Sequence, residues 1–363
     1  MADPLSVLIV DDSNLMRNLV GKMIDGTEGL YAAGTAANGK EALEKIQKLN
    51  PDVIVLDIEM PVMNGIEFLK ARKQEEIKIP VVVLSSLAEK GASITMQALA
   101  LGASDFVQKP SGSISVDINK VKEQVTEKLF AYGSRYRRYF KKSGLLNAAG
   151  KPPPAAQTGA PKIMQIRKTG KIQLICIGIS TGGPDALRMV CATLDGDLDV
   201  PICIVQHMPQ GFTFEFARTL DKICPLDVKE ASDGDELKPG RILIAKGDHH
   251  LEIEKKEGKG IARLSSGQPV SGHRPSVDVL FASAALAYQN HVLGVIMTGM
   301  GKDGAAQLGT IYKEGGLTLG QDEQSSIVYG MPRVAYELGY VMEQVPLERM
   351  GQRISYAAKN SKL

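Results

Sequence analysis

The chain has 363 residues, 44% of them apolar and 23% charged, a balance that supports packed cores and excludes disorder along the whole length. At about 150 residues per domain, this length predicts two domains. The 43 Lys+Arg and 41 Asp+Glu leave a formal charge of +2, too weak a field to mark a nucleic-acid or anionic-membrane binder. Apolar runs such as Ile172–Ile179 and Val292–Met297 fall short of the ~18 residues a membrane span requires, so no membrane insertion is expected. Asp3 precedes the first apolar run and Asp11 and Asp12 follow it, unlike a secretory signal; a cytoplasmic protein is expected.

Residues 1–140 alternate strand and helix signals. Val7–Val10, Val53–Leu56 and Pro80–Leu84 read as buried strands, and Ser13–Ile24, Gly39–Leu49, Gly65–Gln74 and Ser93–Leu101 as helices between them. This rhythm predicts a doubly wound parallel sheet covered by helices. A last helix begins near Asp117, with Ile118, Val121, Val125, Leu129, Tyr132, Tyr136 and Tyr139 at three- and four-residue steps. Residues 141–167 then lose periodicity, and Pro152, Pro153 and Pro154 mark a semi-extended linker. A second α/β domain is expected over 168–355. Its signals are strands Gln173–Ile179 and Pro201–Gln206, short strands Arg241–Ala245 and Leu251–Glu254, a hairpin through Gly258–Gly260, a helix Val277–Ala287 and a strand Val292–Thr298, with helices after Gly183 and Asp303.

All four Cys and all five His lie after residue 170, so chemistry in the first domain rests on carboxylates, hydroxyls and lysines. Asp11 and Asp12 end the first strand, VLIVDD, Asp57 ends VIVLD, Ser85 ends the strand of VVVLSS and Lys109 follows the last, in DFVQKP. In a parallel sheet these residues share the carboxyl edge, where ligands bind. Clustered carboxylates call for a hard cation such as Mg²⁺, and one of them can then accept a phosphoryl group, with Lys109 and Ser85 contacting its oxygens. A lone Asp at a strand end is commonly a cap, and a lone Lys-Pro a turn; the conjunction is what points to chemistry. D-D, D-x-x-M-P-x-x-N-G, S-S and K-P after successive strands resemble the receiver domain of two-component response regulators over residues 5–130. The resemblance implies a flavodoxin-like fold, a histidine kinase as phosphodonor and Asp57 as phosphoacceptor. It further implies Mg²⁺ held by Asp12, Asp57 and the Glu59 carbonyl with Asp11 assisting, and switch residues Ser85, Phe106 and Lys109.

In the second domain, strand QLICIGI runs into Ser180-Thr181-Gly182-Gly183-Pro184. A Ser on a tight strand-to-helix turn presents its hydroxyl above the sheet edge, with helix N–H groups nearby. Gly-rich turns of this kind also bind nucleotide phosphates, although the G-x-G-x-x-G and Gly-Lys spacings are missing. His207 and Asp303 lie beyond two further strands, and Ser, His and carboxylate together are the parts of an acyl-transfer triad. His273 competes with His207 for the role of base, or lines the cleft with Arg274. His249 and His250 read as loop residues and His291 as structural. No ligand spacing suggests zinc, and no cofactor is expected in this domain. Cys176 and Cys203, inside apolar runs, read as buried thiols.

G-x-S-T-G-G, Q-H-M-P-x-G-F, H-R-P-S-V-D-V-L-F and T-G-M-G-x-D-G, in this order after a receiver and a linker, resemble the chemotaxis protein-glutamate methylesterase family, CheB. The resemblance implies a Ser180–His207–Asp303 triad acting on γ-glutamyl methyl esters, and on selected glutamines, of chemoreceptor cytoplasmic helices. It also implies an oxyanion contact from the Met300 N–H and support from Thr181. Ile179 departs from the smaller residue that relatives often carry before the serine. The basic run Arg135–Lys142 admits three readings: a nucleic-acid patch, the cationic end of an amphipathic helix, or a surface between the domains. A receiver driving a DNA-binding module is the rival reading, and a catalytically dead adaptor a third. The large, Gly-rich, strand-alternating second half argues against the former, and the presence of Ser180, His207 and Asp303 against the latter.

Overall fold

The computed structural model describes residues 3–86, 89–109, 117–141 and 170–361. The expected linker, apart from Lys141, lies outside the described residues, as does the side chain of Ile118. The chain divides into two units, Met1–Lys151 and Pro152–Leu363.

The first unit runs β1 (Leu5–Val10), α1 (Asn14–Asp25), β2 (Leu30–Ala36), α2 (Gly39–Leu49), β3 (Val53–Asp57), α3 (Gly65–Gln74), β4 (Val81–Ser85), α4 (Glu89–Ala100), β5 (Asp105–Gln108) and α5 (Asp117–Tyr136). A π-helical turn, Arg137–Lys141, follows. The strands form one parallel sheet in the order β2-β1-β3-β4-β5, the expected flavodoxin-like winding. β1, β3 and β4 are buried at every position because helices cover both faces, which is why they read as continuous apolar runs. Helix starts follow their caps: Ser13 accepts from Met16 N–H, Asn38 from Glu41 N–H, and Asn64 forms a reciprocal capping box with Glu67. β2 had no clear sequence signal, since only Leu30 and Ala36 in LYAAGTA are buried at this sheet edge. α4 starts at Glu89, a turn earlier than expected.

The basic run has a structural use. Asp52, fully buried before β3, accepts from the Ser6 N–H and Oγ at 2.8 Å each, from Arg137 Nε at 3.1 Å, and pairs with Lys141 Nζ at 2.9 Å. Arg137 Nη2 also bonds Asp52, and Tyr136 stacks on Phe140. Arg137 and Lys141 thus fasten the end of α5 to the amino edge of the sheet, opposite the carboxylates.

The second unit runs β6 (Leu174–Ile179), α6 (Gly183–Ala192), β7 (Ile202–Gln206), α7 (Phe212–Asp221), β8 (Asp227–Glu230), β9 (Arg241–Ile244), β10 (His250–Lys256), β11 (Lys259–Ser265), α8 (Val277–Tyr288), β12 (Val292–Ile296), α9 (Ala305–Glu314), β13 (Leu317–Gln321), α10 (Met331–Glu337), β14 (Glu343–Val345) and α11 (Leu347–Asn360). A seven-stranded parallel sheet has the order β14-β13-β12-β6-β7-β9-β8, and β10 with β11 forms a separate antiparallel hairpin. Chain order reverses at β6, so the crevice beyond the ends of β6, β7 and β12 is where this topology places a ligand. α8 packs across that region: a Cβ on Gly178 or Gly304 would sit 2.1 or 2.4 Å from Val277 Cγ1, so neither position has room for a side chain. Phe281, Leu280 and Ala284 on α8 are wholly buried, each large side chain contributing roughly 2–3 kcal/mol by leaving water. α11 continues past position 355 to Asn360, burying Ile354, Ala357 and Ala358.

Candidate active site

In the first unit, Asp11, Asp12 and Asp57 each offer a carboxylate oxygen within 4.8 Å of the others. Asp11 and Asp57 are buried and Asp12 is exposed. Lys109 Nζ lies 3.1 Å from Asp11 Oδ2 and 2.9 Å from Asp57 Oδ2. Burial raises the Asp57 pKa, and the neighbouring Asp11 charge adds to it, against the opposing pull of Lys109. Burial works against the Lys109 charge, yet the two carboxylates overcome it and its pKa is raised. A cavity of about 310 Å³ opens here, lined by Asp12, Asp57, Glu59, Ser85 and Lys109, among others. Ser85 is buried, with its hydroxyl bonded to that of Thr95. Phe106 is buried apart from the cavity lining, its ring 5.9 Å from Lys128 Nζ. Oxygen donors only, crowded and partly desolvated, fit a hard divalent cation.

In the second unit, the structure brings together three residues from across 123 positions of sequence. His207 Nδ1 is 3.1 Å from Ser180 Oγ, and His207 Nε2 is 2.8 Å from Asp303 Oδ2. With Nε2–H donating to the carboxylate, Nδ1 is left as the acceptor facing the serine. Asp303 is 1% exposed and takes three more bonds: Oδ1 accepts from Ser276 Oγ at 2.7 Å and Asp278 N–H at 3.1 Å, and Oδ2 from Val277 N–H at 2.7 Å. Burial alone would raise its pKa; the hydrogen bonds from His207, Ser276 and Val277 overcome this and hold it at about 2. The start of α8 therefore fixes Asp303 as an anion, which is where a helix N-terminus favours negative charge.

His273 stacks on His207, and burial followed by the His207 charge pushes its pKa down to about 4. It contacts the imidazole face and stands in neither hydrogen bond of the Ser180–His207–Asp303 chain. The expectation of a loop position for His250 is corrected: it is buried at the start of β10, accepting the Ser276 N–H at 3.2 Å and bonded to the Gln268 carbonyl at 3.0 Å. His291, at 2.7 Å from the Lys171 carbonyl, ties down the entry to β6.

The serine turn is braced by Thr298 and Gly299, to which the sequence assigned no role, together with the expected Thr181. Ser180 N–H donates to the Thr298 carbonyl at 2.9 Å, and Thr298 Oγ1 donates to the Thr181 carbonyl at 2.9 Å. Thr181 is buried, and Gly182 takes φ +83°, a left-handed conformation suited to glycine. A Cβ on Gly299 would come within 2.7 Å of Ser180 Cβ, so the turn after β12 approaches the serine closely; Met300, the next residue, is half-exposed. Their partners are remote in sequence; only the T-G-M-G and S-V-D motifs hinted at them.

One chain thus carries an acidic receiver-type centre and a serine-histidine-aspartate site, each on its own parallel α/β unit. A family model described as "CheB methylesterase" matches residues 175–354, and one described as "Response regulator receiver domain" matches residues 7–117. The protein-glutamate methylesterase/protein-glutamine glutaminase of Treponema denticola is 55% identical over 98% of this chain and 99% of its own. That of Treponema pallidum is 47% identical over 98% and 97%. The crystal structure of the Thermotoga maritima CheB methylesterase catalytic domain covers 52% of this chain and 99% of its own, with 37% identity and a TM-score of 0.50. The chain belongs to the family of protein-glutamate methylesterase/protein-glutamine glutaminases.

Proposed function

We propose that the protein is a phosphorylation-controlled hydrolase that removes methyl esters from γ-glutamyl residues of chemoreceptor cytoplasmic helices, and deamidates receptor glutamines, in chemotactic adaptation. The observation that carries this reading is the continuous chain from Ser180 Oγ through His207 to Asp303. Ser180 Oγ attacks the ester carbonyl while His207 Nδ1 takes its proton. The proton passes to the departing methoxide, releasing methanol, or to the nitrogen of a glutamine, releasing ammonia. Water, deprotonated by His207, then attacks the acyl-serine carbonyl, and His207 returns that proton to the departing Ser180 Oγ, leaving a free glutamate. Asp303 holds the imidazole in its tautomer and balances its positive charge. The Met300 N–H serves the oxyanion, with Thr181 supporting the turn.

On the receiver unit, Asp57 accepts a phosphoryl group from the histidine kinase of the same system. Asp11, Asp12, Asp57 and the Glu59 carbonyl would hold Mg²⁺, which neutralises the repulsion between these carboxylates and the phosphoryl oxygens. Lys109 and Ser85 contact the transferred oxygens, and Phe106 responds to them. Among the described residues no helix is long and apolar enough to cross a membrane, which suits a cytoplasmic enzyme meeting receptor helices outside the bilayer.

The test is methanol release from methylated receptor. Ser180→Ala, checked for folding, is expected to lose about 10⁴-fold or more in turnover. Near-normal release would remove the serine mechanism.

A further inference from the structure

We propose that Gln206 is a positioning residue that sets the spacing between Ser180 and His207; the proposal rests on the serine-histidine-aspartate reading above. Gln206 ends β7 and is 2% exposed. Its Nε2 donates to the Ser180 carbonyl at 3.0 Å and to the His207 carbonyl at 3.2 Å. A primary amide has two N–H donors, and here both are spent on the two residues that exchange a proton. The reverse amide orientation would set an oxygen against two carbonyl oxygens, so the acceptors decide which way the group faces.

The arrangement leaves Oε1 buried without a hydrogen-bond partner among the described residues. Orphaned buried acceptors are rare and call for a reason. The reason is that the useful end of the amide is already committed to the nucleophile and base turns. Gly183 makes room for the group: a Cβ there would lie 1.8 Å from Oε1 and 2.7 Å from Cδ. Gly183 N–H also donates to the Ser180 carbonyl at 2.7 Å, so that carbonyl is gripped from α6 and from β7 together. Neither Gln206 nor Gly183 touches the reacting atoms in this account. Both act through the 3.1 Å separation of Ser180 Oγ and His207 Nδ1, and errors of about 1 Å in such geometry cost on the order of 10²-fold.

The experiment uses the full chain with Gln206→Met, which keeps length and removes the donors, and Gly183→Ala, which displaces the amide by another route. Two quantities are read: kcat and KM for methanol release, and the rate at which a serine-directed fluorophosphonate labels Ser180. Each variant is expected to lower kcat and slow labelling by about 10- to 100-fold with KM within about 2-fold, and the double variant to be no worse than the slower single one. Labelling at the natural rate in folded Gln206→Met, or losses that multiply in the double variant, overturns the proposal. Gln206→Asn, whose shorter amide cannot span both carbonyls, decides the matter if Gln206→Met does not fold: slowed labelling supports the proposal and unchanged labelling overturns it. Failure of the natural chain to label at Ser180 would instead remove the serine reading, and this proposal with it.

Discussion

The imidazole of His273 lies flat on that of His207, ring centroids 3.7 Å apart and planes 12° from parallel. A neutral aromatic face in that place limits rotation of His207 and, in the proposed mechanism, favours the imidazolium formed when Ser180 gives up its proton. His273→Ala is therefore expected to lower kcat for methanol release by about 10-fold, whereas His273→Phe, which keeps the face, stays within about 3-fold of the natural chain. If His273 were the base, His273→Phe would be as inactive as His207→Ala, and steady-state kinetics of the three variants separate the cases.

Burial of His273, with the His207 charge adding to it, makes stability depend on pH. The folded chain refuses a proton on His273 until about pH 4, while the unfolded chain takes one near the ordinary 6.5. The unfolded state thus binds more protons between these values, so stability rises with pH through this window and is lost as pH falls from 6.5 toward 4. The contribution is up to roughly 3 kcal/mol at about 1.4 per pH unit. Denaturant unfolding at pH 7 and pH 4.5 is expected to show a smaller difference for His273→Phe than for the natural chain. Equal differences would mean that the ring is not shielded.

Asp52 gives a prediction for the receiver unit. Burial opposes its charge, but Arg137, Ser6 and Lys141 hold its pKa at about 2, below the ordinary 3.8. Its stabilisation is complete above pH 3.8 and is lost as pH falls through 2. Asp52→Ala strands two cations and two Ser6 donors, and is expected to cost about 2–4 kcal/mol in denaturant unfolding at pH 7. A loss below about 0.5 kcal/mol would show that the end of α5 is not held by this group.

Phosphorylation of Asp57 by a small acyl phosphate is expected to require a divalent cation, because Asp11, Asp12 and Asp57 present oxygens within 4.8 Å of one another. Radiolabel transfer should fall to background in excess chelator and return with Mg²⁺. Equal labelling with and without chelator contradicts this reading of the cluster.

The sequence made some of this arrangement legible and hid the rest for identifiable reasons. β1, β3, β4, β6, β7 and β12 are buried at every position, so their sequences are continuous apolar runs with the functional residue types at their carboxyl ends. β13 (LTLGQ) and β14 (EQV) mix small and polar residues and are defined by pairing with β12 and each other. α11 is amphipathic and runs past the expected domain end at 355, its buried face packed on α6. Ser180, His207 and Asp303 are chemically conspicuous; Ser276, Val277, Thr298 and Gln206 are not, since each acts through one hydroxyl, backbone N–H or amide on a partner remote in sequence. Arg135–Lys142 was ambiguous because its partner, Asp52, lies 85 residues from Arg137.

In the proposed function, phosphorylation at Asp57 governs ester hydrolysis at Ser180 within one chain. The direct measurement is methanol release from methylated receptor by the full chain, with and without Mg²⁺ and a small acyl phosphate, in the natural sequence and in Asp57→Asn. A coupling of ~1–3 kcal/mol predicts a rise of about 5- to 150-fold for the natural chain and none for Asp57→Asn. An equal response in both chains, or no response in a natural chain shown to be labelled at Asp57, would contradict it.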